Sequence, residues 1–99
     1  MTGTDVSRRI DKSWLVFSSI ENPQHDRCVD LFRRPDGTYG FEEFRRDPED
    51  AGGWTPIRYY SGAVHESAIA AFDAAVKAVA WLAEEARRRP ALREQLTAA

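Results

Sequence analysis

The chain has a single cysteine, Cys28, and therefore no intrachain disulfide framework. It has no long apolar run. The stretch poorest in charge, Ser67 to Ala83, carries Asp73 and Lys77 and is rich in alanine rather than leucine, which is too short and too polar to span a bilayer. Residues Met1 to Arg9 lack the apolar segment of a secretory signal, and with an unpaired cysteine the expected location is the cytoplasm. Excess positive charge is also missing. The formal net charge is −2, and residues 13–65 hold six basic against nine acidic side chains, so no polybasic footprint for phosphates exists. At 99 residues the chain forms one small domain that buries about two-thirds of its unfolded surface, which excludes a deep cleft between domains. Internal repeats and low-complexity segments are absent from the sequence.

What is present reads first as strands. Residues 1–12 are polar and are expected to be a mobile tail ahead of a domain over 13–90. Trp14 to Ile20 is aromatic and β-branched, and Glu21 to Asp26 has turn composition. Cys28 to Arg33 follows as a second strand. Arg34-Pro35-Asp36-Gly37-Thr38 then combines a preset φ, a local side-chain acceptor and a residue free to take positive φ, the best hairpin signal in the chain. The return strand, Tyr39 to Arg46, breaks the period of two between Phe41 and Phe44, and a bulge at Glu42 and Glu43 would reconcile it. Residues 47–53 read as an exposed acidic loop, and Ile57 to Val64 as the last strand, with Pro56 at its start.

From Glu66 the period becomes helical, with Ser67 the better N-cap. Ile69, Phe72, Val76, Val79 and Ala83 share one face, Asp73 and Lys77 form an i,i+4 pair, and Arg87-Arg88-Arg89 meets the negative end of the helix dipole. Pro90 interrupts, leaving residues 91–99 as a tail or a short helix. The expected class is α+β: an antiparallel meander of three to four strands followed by one long helix on one face.

At 100° per residue Trp81 falls away from the core stripe, near Ala70, Ala74 and Ala78. The C-terminal Leu92 and Leu96 cover this second face, or Trp81 simply lies partly exposed, or Trp81, Ala74 and Ala78 form an interface with a second copy or another protein. The sheet poses the same question, since Trp14, Val16 and Ile20 alternate with Leu15 and Phe17. One helix cannot shield both sides, so the opposite face is expected to be open or covered by a partner.

Chemistry-bearing constellations are sparse. His25 and Cys28 have half the spacing of a zinc site, with His65 and Glu66 as the nearest further donors, whereas a structural site needs four ligands. No metal and no cofactor is expected, and no catalytic residue is assigned. Glu42 and Glu43 point to opposite faces of a strand, which reads as solvated surface rather than an acid/base pair. Ser18 and Ser19 lack a nucleophile-elbow context, and Gly52-Gly53 is followed by Trp54 rather than a phosphate-binding lysine. Arg33, Arg34, Arg45 and Arg46 interleave with aromatic residues including Tyr59, a composition that could stack bases and hold phosphates. The competing reading pairs these arginines with neighbouring carboxylates.

The stretch Asp30 to Asp50, with Gly53-Trp54 and Trp81-Leu82, resembles small bacterial proteins of unknown function, a resemblance that implies no activity. In element order, the meander followed by a helix is similar to the arm-type DNA-binding domain of phage integrases, which implies DNA binding. No functional residue carries over from either resemblance. The reading adopted is a non-enzymatic cytoplasmic interaction module, a homodimer or an accessory to another protein. The alternative is a nucleic-acid binder. A third class, a small enzyme, would require a concave pocket containing His25, His65 or Cys28 near carboxylates, and no membrane partner is expected.

Overall fold

The chain turns where its breakers stand. Asp36 accepts hydrogen bonds from the Thr38 N–H at 2.9 Å and hydroxyl at 2.7 Å, and Gly37 takes φ 89°. These bonds hold the Asp36 carboxyl below its ordinary range, the hydroxyl contributing most. The hairpin they close joins β2 (Arg27–Arg33) to β3 (Tyr39–Arg46). In the computed structural model, which describes residues 10–47 and 53–97, these are the central strands of a four-stranded antiparallel sheet in the order β1-β2-β3-β4. The edges are β1 (Leu15–Glu21) and β4 (Trp54–Pro56). At the β1–β2 turn the buried Asn22 carboxamide accepts the N–H groups of Asp26 and Arg27, both at 3.0 Å, and His25 takes φ 60°. The tail expected over residues 1–12 and the acidic loop fall partly outside the described residues.

Three local expectations are corrected. The bulge lies in β1, between Val16 and Ser18, while β2 and β3 pair in unbroken register from Arg27↔Arg45 to Arg33↔Tyr39. Phe41 and Phe44 break the period of two because both faces of these strands are buried, so each face takes its own phenylalanine. Second, β4 occupies only Trp54–Pro56, and residues 57–65 form a loop with a short 3₁₀ turn at Tyr60–Gly62. The Glu42 carboxylate accepts the Tyr60 and Ser61 N–H groups at 3.1 and 2.9 Å, and Arg34 donates to the Ser61 and Ala63 carbonyls at 2.6 and 3.2 Å. Charged side chains meet the middle of this segment, while its ends pair with β3: the Ile57 N–H donates to the Glu43 carbonyl at 2.9 Å, and Tyr39 and His65 exchange both backbone bonds at 2.8 and 2.9 Å.

The third correction concerns the helix. Ser67 caps it as expected, accepting the Ala70 N–H at 3.0 Å, but the helical stretch divides into α1 (Ala68–Ala78) and α2 (Ala80–Arg88) at an extended Val79, with α3 (Ala91–Thr97) beyond Pro90. The break rephases the chain. Buried positions are Ala71, Phe72 and Ala75 in α1, then Val79, then Leu82 and Glu85 in α2, whereas Ile69, Val76 and Ala83 are half-buried. Alanines beneath α1 let its backbone approach the sheet closely, where it meets Ile20, Val29, Leu31 and Phe41. Asp73 pairs with Arg93 of α3, at 2.9 and 3.0 Å, rather than with Lys77.

The opposite sheet face is closed by the chain itself, contrary to the expected open or partner-covered face. Cys28, Asp30, Phe32, Glu42 and Phe44 are each at most 2% exposed. Trp14 stacks on Phe32 with ring centroids 4.7 Å apart, and the Arg34 guanidinium lies 4.6 Å over Trp14 and 5.1 Å over Phe32. A planar cation fits this position because its faces stack while its edges donate to carbonyls.

Candidate functional site

The arginines suggested for nucleic acid do not converge. Side chains alternate along each strand, so Arg33 and Arg45 point to the helix side, and Arg46 to the side of Phe32 and Phe44. Arg33 and Arg34 stand at the hairpin end, whereas Arg45 and Arg46 lie six and seven residues along β3 from Tyr39, roughly 20 Å or more away at strand rise. Arg34 is engaged by Thr38, Tyr39, Ser61 and Ala63, and Arg46 donates to the His25 carbonyl at 2.6 Å while stacking 5.0 Å from the Trp54 ring centroid. Tyr59 is 72% exposed at φ 56°, presented by the loop that Glu42 and Arg34 clamp.

The helix strip is divided by the break at Val79. Trp81 is half-buried against the core and donates its indole N–H to the Glu43 carboxylate at 2.9 Å. Ala74 is half-buried and Ala78 exposed. Glu42 and Glu43, expected as solvated surface, are both buried: they do point to opposite faces, but each accepts donors from a segment distant in sequence, Glu42 from the backbone of Tyr60 and Ser61 and Glu43 from the Trp81 indole. A buried carboxylate persists where donors meet it, and here backbone N–H groups and an indole do so.

His25 and Cys28 also separate. Cys28 is buried in β2 with Sγ 3.2 Å from the Ser19 hydroxyl and 3.3 Å from Asp30 Oδ1, whereas His25 Nδ1 lies 2.7 Å from Glu21 Oε1 in an exposed turn. No group of three metal-ligating side chains occurs among the described residues. His25 and Glu21 line an open cleft of about 450 Å³ between the β1–β2 turn and the α2–α3 corner, whose other wall holds Glu85, Arg88, Arg89 and Leu92. The buried Glu85 carboxylate engages both guanidiniums, Arg88 at 3.3 Å and Arg89 at 2.9 Å. A histidine oriented by a carboxylate is the base half of a nucleophilic site. The nearby Ser19 hydroxyl instead donates to Asp30 at 2.6 Å.

The feature that sequence reasoning passed over is β1 as an edge. Leu15, Val16 and Phe17 are 64%, 40% and 38% exposed, and β1 carries no charge before Glu21. Phe17 packs edge-on against Tyr39, with centroids 5.9 Å apart. The signal was legible as eight uncharged residues, Ser13 to Ile20, but their edge position follows only from the pairing. In comparisons with protein-family models, curated proteins and solved structures, the chain matches none of them.

Proposed function

We propose that this chain is a non-enzymatic, cytoplasmic protein-interaction module that self-associates. The observation that carries this reading is the exposed, uncharged, apolar run Leu15-Val16-Phe17 on a sheet edge. An edge strand offers unpaired backbone N–H and C=O groups, and an apolar one offers burial besides, the two contributions from which strand addition derives affinity. The anchor of the interaction is this edge rather than Trp81, whose N–H and ring are engaged within the chain. The net charge of −2 and the dispersed arginines favour a protein partner over nucleic acid. No helix among the described residues is long and apolar enough to cross a membrane.

Sedimentation velocity across a concentration series, beside fluorescence titration of short DNA and RNA at low and moderate salt, tests the proposal. Concentration-dependent mass without nucleic-acid binding supports it. A monomer at every concentration overturns it, and one that also binds DNA or RNA with a steep salt slope installs the nucleic-acid alternative.

A further inference from the structure

We infer that the β1 edge pairs with the β1 edge of a second copy, antiparallel about a two-fold axis, joining two four-stranded sheets into one. This inference rests on the self-association proposed above and specifies its geometry. Opposite charges bracket the strand: Lys12, beside an Asp11 whose carboxylate is turned onto the Ser13 N–H and hydroxyl, stands before its start, and Glu21, 2.7 Å from His25 Nδ1, stands at its end, with no charged residue between Lys12 and Glu21. Antiparallel pairing brings the Lys12 end of each copy against the Glu21 end of the other, whereas parallel pairing sets like charge beside like. The register that sets Lys12 opposite Glu21 places the two-fold axis between Val16 and Phe17, where no charge meets its symmetry mate.

Among the devices that keep an edge from pairing, β1 has the bulge near Phe17, but it has no proline, no inward charge and no strand on its outer side among the described residues. The bulge shortens the regular ladder, so Leu15, Val16 and Phe17 must supply much of the burial, and the interface is of the small, reversible kind. The far edge differs. β4 is three residues long and ends at Pro56, which has no N–H to donate, so addition stops at two copies instead of propagating into a fibre.

The test is sedimentation velocity on the full chain and four variants from about 10 µM to about 1 mM, a range spanning weak reversible association. The weight-average mass of the parent should climb from 11.2 kDa toward twice that value. Leu15→Lys and Val16→Lys, both at exposed positions, should raise the dissociation constant at least tenfold with an unchanged circular dichroism spectrum. Lys12→Glu should weaken association through like charges at both ends, and Lys12→Glu with Glu21→Lys should restore it. A dimer indifferent to all four variants overturns the β1 pairing while leaving self-association standing. A parent that stays at 11.2 kDa throughout overturns both.

Discussion

Replacing Gly40 by alanine sets two opposing effects against each other at one site on the sheet. A glycine in a strand interior costs roughly 0.5–1 kcal/mol relative to alanine, because the unfolded chain has more freedom to lose, so propensity alone favours the substitution. The site opposes it. A Cβ on Gly40 would stand 2.8 Å from Phe32 Cζ, 2.9 Å from Cε1 and 3.0 Å from Arg34 Nη2. The Phe32 ring has nowhere to retreat: it is fully buried, stacked on Trp14 and overlaid by a guanidinium that four hydrogen bonds hold. Overpacking of this kind costs about 1–3 kcal/mol, which exceeds the gain. Gly40→Ala should therefore destabilise by about 1–2 kcal/mol net, lowering the thermal midpoint by about 4–8 °C per kcal/mol in a domain of this size. Urea unfolding should show a lower midpoint at unchanged slope. In a Phe32→Leu background, where the ring is gone, the same substitution should become neutral or stabilising, and the two changes should couple by about 1 kcal/mol or more. A Gly40→Ala protein as stable as the parent would refute the account of how this face is closed.

Two further outcomes follow from charged groups. Trp81→Phe keeps the ring but removes the N–H that meets the buried Glu43 carboxylate, and should cost about 1–3 kcal/mol in urea unfolding. Adding Glu43→Leu should return part of that loss, because two apolar partners leave no unsatisfied group. The Arg93 side-chain hydrogen bond holds the Asp73 carboxyl below its ordinary 3.8, so its contribution is present above the unfolded value and is lost as pH falls through the lower folded one. The pair is half-exposed, so the effect is small. The urea midpoints of the parent and Asp73→Asn should differ at neutral pH and converge in strong acid, whereas a difference that persists in acid would assign the effect to packing.

Local pattern made much of the architecture legible. Pro35-Asp36-Gly37 dictates a reversal whatever lies around it, Ser67 ahead of an alanine-rich helical period dictates a helix start, and Pro90 dictates an interruption, because each acts through bonds within a few residues. The same locality explains the failures. Glu42 and Glu43 look solvated until the 57–65 loop and Trp81 supply their donors from 18 to 38 residues away. Residues 57–64 have strand composition, yet Glu42 and Arg34 hold their backbone in a loop instead.

The candidate site divides along the same line. That Ser13 to Ile20 carries no charge is a property of the amino-acid order, as is its aromatic and β-branched character. That this strand stands outermost, with Leu15, Val16 and Phe17 in water, depended on which strands paired and which side the helices took. Composition sets how much apolar surface a chain owns, and pairing over long sequence separations sets which part of it stays uncovered. Here that packing closed the aromatic face with Trp14 and Arg34 and left the β1 edge exposed.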